Sequence, residues 1–324
     1  MRHKAIFLAS FSAVAVLPLV WGFQSPDSRP QLVVHSKRSD SPIPQLRSTV
    51  SLVVIPVHIT TEIGATVTSL GKDNFQLFED NVEQRILTFA KDDAPISLGL
   101  LVDSSGSMKN KIHTTWEAAS MLFKTSNPSD EFFLIHFGER PKLMVPFTTD
   151  HDEVAYQMGR IRPFGRTSLY DAVDLALRQM KQAKNTRKAI VIVSDGGDNR
   201  SRRTAGEIKN EVLESDVQLY AMGIYDELAD GQRHSPEEQN GPELLANLAA
   251  MTGGRHFAVS NLNDLPEIGE RISKELRSQY LLGYNSSNPT LDGKYRKVKL
   301  TVDAPKELPR LRTQYRRGYY APME

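Results

Sequence analysis

The chain has 324 residues, 40% hydrophobic and 24% charged, a globular composition with apolar material for one large domain or two ordinary ones. Forty Lys and Arg against 39 Asp and Glu give a formal charge of +1, so no basic excess exists to drive nucleic-acid binding. The absence of cysteine excludes thiol nucleophiles, disulfides, zinc–thiolate sites and a lipid-modified N-terminal Cys.

Met1-Arg2-His3-Lys4 is followed by an apolar run over residues 5–20 and by Trp21-Gly22. A basic start, a short apolar stretch and a small residue at its end predict a secretory signal over residues 1–22. Export to the periplasm, cell envelope or extracellular space follows from it. The alternative is a retained anchor, against which Pro18 and the shortness of the run speak. Once the signal is cleaved, no integral membrane segment is expected. A cysteine-free chain in an oxidising space is held by its core alone. Residues 23–48 carry Pro26, Pro30, Pro42 and Pro44 among Ser, Gln, Arg and Asp without periodicity, which predicts a flexible linker.

Residues 49–93 have β texture. Val50, Leu52 and Val54, then Val57 and Ile59, alternate around a break at Pro56. Residues 75–78 lead into Glu79-Asp80-Asn81, a turn signal, and residues 84–89 read as the returning strand. This segment is too small for a core of its own.

Residues 94–282 change rhythm. The continuous apolar run 96–102 predicts a strand covered on both faces. Ile112, Trp116, Ala119 and Phe123 then recur at helical spacing. Residues 132–137 read as a strand and 143–147 as an edge hairpin. Asp150 with Glu153, and Thr204 with Glu207, are helix-start signatures. A helix runs from Leu169 toward Lys184. Residues 189–193 and 217–222 are further buried strands. Residues 242–251 form a helix closed by Gly253-Gly254, 256–259 a short strand, and 264–279 a final amphipathic helix. Alternating strands and helices predict an α/β fold with a doubly wound, mostly parallel, Rossmann-like sheet. Residues 283–324, with strand candidates at 280–284, 295–302 and 311–319, form a second β fragment. Each fragment lacks a core alone, so the two are expected to pair into a small β-sandwich around the inserted α/β domain.

Three segments fall beside strand ends: Asp103-Ser104-Ser105-Gly106-Ser107 after the first buried strand, Gly165-Arg166-Thr167-Ser168 before a helix, and Ser194-Asp195-Gly196-Gly197-Asp198 after another strand. Ligands of open α/β sheets bind at the carboxyl ends of the strands. Carboxylates and hydroxyls without His or Cys are hard oxygen donors, suited to Mg²⁺, with Mn²⁺ or Ca²⁺ possible, and not to zinc or copper. Hydroxyl ligands leave such a cation under-neutralised, so a carboxylate from outside can complete its shell. Taken singly, each segment reads as a helix cap or a turn; the joint, ordered occurrence points to a metal site.

The combination resembles the von Willebrand factor A-type domain, whose metal-ion-dependent adhesion site joins D-x-S-x-S, a Thr from a second loop and an Asp from a third. The resemblance spans roughly residues 94–282 and places Asp103, Ser105, Ser107, Thr167 and Asp195 at the five motif positions. It implies direct metal contact from Ser105, Ser107 and Thr167, with Asp103 and Asp195 acting through water. The texture around F-x-L-F-E-D, L-L-V-D-S-S-G-S-M and R-R-G-Y-Y-A-P is also similar to a secreted bacterial subgroup, with Asn81 where Gly is usual.

The expected function is a non-catalytic, exported binding protein. Its partner would be a protein that presents an Asp or Glu carboxylate to the bound cation. An envelope scaffold in which metal only orders loops, and a metal-assisted hydrolase, are the alternatives. Ser105 and Ser107 have no evident His base. His136 reads as a satisfied strand residue, and Arg316-Arg317-Gly318-Tyr319-Tyr320 as a solvated strand face. The acid-rich residues 225–241 are expected to form a long loop bordering the site.

Overall fold

A computed structural model describes residues 52–323, apart from residues 92, 125 and 226–235. The expected signal (1–22), the linker (23–48) and most of the loop expected at 225–241 lie outside these residues.

The alternation in the first β fragment becomes β1 (Leu52–Thr61), which turns Val53, Ile55, Val57 and Ile59 to one buried face. The strand runs unbroken through Pro56, because pairing with the neighbour on one side begins only at Val57 and the strand is an edge there until then. β2 (Phe75–Glu79) and β3 (Val82–Gln84) are joined at Asp80 and Asn81, both at positive φ (46° and 69°). Asp and Asn tolerate that conformation. β4 (Ile86–Lys91) follows. The stretch 84–89 is therefore two strands in different sheets, with the crossing at Arg85.

The C-terminal strands are β11 (Tyr280–Asn285), β12 (Tyr295–Val302), β13 (Leu311–Tyr315) and β14 (Gly318–Tyr320). Both fragments share two sheets, β13-β1-β11-β4 and β14-β12-β2-β3, around one core that includes Ile55, Ile59, Leu77, Tyr280, Tyr284 and Leu300. Residues 280–282, inside the stretch assigned to the α/β domain from sequence, pair with β1 and β4. The run 311–319 breaks at Arg316-Arg317, where the chain passes from one sheet to the other. It is no solvated face: Arg316 pairs with Asp216, and buried Tyr319 donates its hydroxyl proton to Glu79.

Between the fragments lies the α/β domain. Its strands are β5 (Ile96–Asp103), β6 (Glu131–Phe137), β7 (Lys142–Thr148), β8 (Arg187–Ser194), β9 (Gln218–Ile224) and β10 (His256–Val259), in the order β10-β9-β8-β5-β6-β7. Every pairing is parallel except that of the edge strand β7. Helices α1 (Ile112–Phe123), α2 (His151–Met158) and α6 (Leu265–Arg277) cover one face of this sheet. Helices α3 (Leu169–Met180), α4 (Ala205–Glu214) and α5 (Pro236–Met251) cover the other. Both faces of β5 are consequently buried, as its unbroken apolar run requires.

The helix starts are held as the sequence predicts. The Asp150 carboxylate accepts from the backbone N–H of Asp152 and Glu153, and Thr204 with Glu207 forms a reciprocal capping box. Two boundaries differ. α3 ends at Met180. α5 begins six residues before Pro242, at Pro236, a proline in the first helical position where its missing N–H costs no bond.

Candidate functional site

β5 and β8 are adjacent and parallel, with Val102 opposite Val193. That register sets Asp103 and Ser194 side by side at the carboxyl edge, and the Ser194 hydroxyl donates to Asp103 Oδ2 at 2.6 Å. Asp103 Oδ1 accepts from the Ser105 amide at 2.8 Å, which folds the loop back over the strand end. Strand order reverses here, with β6 on one side of β5 and β8 on the other, the place where open α/β sheets form a crevice.

Beyond it, Ser107 Oγ donates to Asp195 Oδ2 at 2.5 Å and lies 2.9 Å from Ser105 Oγ. Since the Ser107 proton is committed to Asp195, Ser105 is the donor to Ser107. Buried Ser105 and Asp195 flank the exposed Ser107 in this row of oxygens, and buried Asp103 joins it through the Ser105 amide. The structure thus joins four of the five residues expected from sequence.

Thr167 reaches the same place through its backbone. Phe164 N donates to Ser104 O at 2.7 Å and Gly106 N to Gly165 O at 3.0 Å, which lock the loop before α3 onto the loop after β5. Gly165 sits at φ +81°, where an L side chain is strained and would meet Glu139. Thr167 N donates to Asn199 Oδ1, and Asn199 N to Thr167 O, tying this loop to the one after β8. Among the described residues the Thr167 hydroxyl takes no part in the side-chain hydrogen bonds that join Ser105, Ser107 and Asp195.

Several contributors escape a motif reading. Ser194 braces Asp103 and accepts from Gly196 N; Asp198 accepts from Tyr170 N at the start of α3; Asn199 holds Thr167. The backbone of Gly241, at the end of the expected loop, packs directly on Asp195 and Gly196, and a Cβ on either glycine would collide with the other segment. Tyr225, after β9, bonds His256 Nε2 through its hydroxyl at 2.9 Å; burial, then the Asp195 charge, raises its pKa. Only the D-x-S spacing had a local signal; these contacts join segments far apart in sequence.

A serine–histidine pair does lie at this edge. Ser104 Oγ is 2.9 Å from His136 Nδ1 but also donates to Phe137 O at 3.0 Å. Ser104 is buried, and with its single proton on Phe137 O it accepts from His136 Nδ1, an arrangement unlike that of an exposed, activated nucleophile.

The electrostatics set this edge apart. Burial, and then the neighbouring Asp195 charge, push the Asp103 carboxyl up to about 7. Among the described residues, Asp103 and Asp195 accept only from hydroxyls and amides, with no Lys or Arg partner. No group of three or more His, Cys, Asp or Glu converges among the described residues either. Two carboxylates, two aligned hydroxyls and no side-chain cation form a hard-oxygen set that fits a divalent ion such as Mg²⁺.

The family model for the von Willebrand factor type A domain matches residues 98–197, a stretch that contains all five of these residues. An uncharacterized protein of Borreliella burgdorferi is 22% identical over 194 residues, 56% of this chain and 52% of the relative, so the match spans about half that protein's length. Among solved structures, BatB from Bacteroides thetaiotaomicron is similar at 19% identity over 56% of this chain and 100% of that one, with a TM-score of 0.45. A von Willebrand factor type A protein from Catenulispora acidiphila is similar at 13% identity over 75% and 73% of the two chains, with a TM-score of 0.49. The corresponding domain of the pilus tip protein Mfa5 from Porphyromonas gingivalis is similar at 13% identity over 56% and 95%, with a TM-score of 0.45.

Proposed function

We propose that this chain is an exported, non-catalytic binding protein that uses a divalent cation, Mg²⁺ foremost, to engage an acidic group of a protein partner. The match to the type A domain over residues 98–197 supports an interaction role. One observation carries the metal reading: Asp103 and Asp195 are buried together without a cationic side chain, while Ser107, bonded to Asp195, is exposed. An uncompensated pair of buried carboxylates is costly, and a bound cation removes that cost.

Ser105, Ser107 and Thr167 would hold the ion, with Asp103 and Asp195 balancing its charge. When bound, the ion supplies a Lewis-acidic position that a partner carboxylate can fill. The chain's own residues do the rest. Asp103 fixes the loop through the Ser105 amide, Ser194 keeps the Asp103 carboxylate in place, and Asn199 holds Thr167 at the same edge. The loops are already interlocked by backbone bonds, which favours a recognition role over a metal that merely orders them. The Ser104–His136 geometry disfavours the hydrolase alternative.

Calorimetric titration of the metal-stripped chain with Mg²⁺ should give one site. The double variant Ser105→Ala, Ser107→Ala should give no heat of binding. Saturation at about a hundred times Kd should raise wild-type stability by about 2.7 kcal/mol and leave the variant unmoved. Equal binding by both would refute the metal assignment. Export is tested separately, by the N-terminal sequence of the chain recovered from the envelope or medium.

A further inference from the structure

The formal charge of +1 conceals an uneven distribution. Four described loops at the carboxyl edge, residues 104–111, 138–141, 159–168 and 195–203, hold nine Lys and Arg against three Asp and Glu, while the whole chain holds 40 against 39. Several of these cations stand on segments tied to the loop that carries the exposed Ser107. Arg166 follows Gly165, whose carbonyl accepts from Gly106, the residue between Ser105 and Ser107. Glu139 Oε1 accepts from the Arg166 amide, and its Oε2 pairs with Arg200 at 3.2 Å, which brings the hairpin after β6 and the loop after β8 to the same rim. Lys109, Arg140 and Arg166 are exposed, and none of their side chains has an acidic partner among the described residues.

In the midst of this basic rim stands an apolar group. Phe164 is 78% exposed although its amide is bonded to Ser104 O, so a flat aromatic surface is held on a fixed backbone beside the oxygen cluster. A water-facing aromatic on a rigid loop has the makings of an interface anchor, and arginines around it supply charge complementarity to an acidic partner.

We infer that this rim selects an acidic polypeptide segment with an apolar side chain next to its coordinating carboxylate. Phe164 receives the apolar side chain, and Arg140, Arg166 and Lys109 receive flanking Asp or Glu. This rests on the metal-dependent reading above and adds the partner's local sequence character. Nucleic acid is disfavoured because exposed Glu139 and half-buried Asp198 interrupt the basic surface that a continuous phosphate backbone would follow.

The test uses the full chain with saturating Mg²⁺ and a fluorescein-labelled peptide of Glu and Asp residues with one central Asp-Phe pair. Fluorescence anisotropy should report binding that weakens about tenfold on Phe164→Ala, and similarly when the peptide Phe becomes Ser. The double charge reversal Arg140→Glu, Arg166→Glu should weaken it at least about tenfold at low salt, with the loss shrinking as salt rises. Calorimetry on the same variants should return the wild-type affinity for Mg²⁺, since none is a metal ligand, and circular dichroism should be unchanged. If wild type binds no Mg²⁺, the metal-dependent reading fails. The inference about the rim is overturned if Mg²⁺ binds but the peptide does not. It is equally overturned if the rim variants bind the peptide as wild type does, or if single-stranded DNA of equal charge binds as tightly.

Discussion

Buried carboxylates occur in two regions of this molecule, and the two regions treat them in opposite ways. In the β-sandwich, Glu79 is bonded by the hydroxyls of Tyr284, Tyr319 and Ser286 and faces Arg296 at 3.4 Å. Where the sandwich meets the α/β domain, Glu275 is bound by Arg255 and Asp130 by Arg277. Each of these acids has an arginine. At the carboxyl edge of the central sheet, Asp103 and Asp195 have only hydroxyls and amides. Buried Glu131 also lacks an arginine and accepts from the Ser97 hydroxyl and the Lys184 amide, but it stands alone, whereas Asp103 and Asp195 are two unmatched acids in one cluster, the arrangement on which the proposed metal site rests.

The comparison can be broken at its matched end. Arg296→Ala should strip Glu79 of its cation inside the sandwich core and cost about 3–5 kcal/mol in urea unfolding. A loss under about 1 kcal/mol would mean that the three hydroxyls suffice and that arginine pairing is no mark of structural carboxylates.

A second probe lies at the junction. His58 on β1 is buried against Glu275 at 3.9 Å, faces Gln314 across the β1–β13 ladder, and has both ring nitrogens without a hydrogen bond. Burial first, then Arg255 and Arg271, lower its pKa from 6.5 to about 4. The unfolded chain therefore takes a proton at 6.5 that the native state refuses, and stability falls as pH drops from there toward 4. Across that window the loss approaches about 3 kcal/mol. Burial raises the Glu275 carboxyl, which opposes the trend at the acid end. His58→Gln should flatten the dependence in unfolding curves between pH 7 and 5; an unchanged slope would remove His58 as its source.

The smallest expected effect sharpens the contrast most. Asp195→Asn removes an unmatched charge, so the metal-free chain should be as stable as wild type or more stable by about 1 kcal/mol, while Mg²⁺ no longer raises its melting temperature. Destabilisation by several kcal/mol would make Asp195 a structural carboxylate like Glu79.

Much of the site was legible because its motif is local. Asp103, Ser105 and Ser107 are two residues apart, and Asp195 follows a buried strand. Ser194, Asn199 and Gly241 were not legible, because each acts on a residue from another loop and no spacing within their own segments announces it. The same holds for the strands. β5 and β8 were plain from apolar runs, whereas the splits at Arg85 and Arg316-Arg317 came from the chain changing sheets, which local alternation does not record. The basic rim was hidden in a near-neutral total, since composition averages over the surface that loop packing divides.

The amino-acid pattern alone determined the layered α/β architecture, the dependence of the two β fragments on one another, and a hard-oxygen donor set with no soft ligand to compete, because periodicity and residue chemistry are local properties. Only the tertiary structure decided which buried acids meet an arginine and which meet only hydroxyls. Charge compensation depends on distances of a few ångströms between segments as much as 217 residues apart, as Glu79 and Arg296 are, and no stretch of sequence carries that distance.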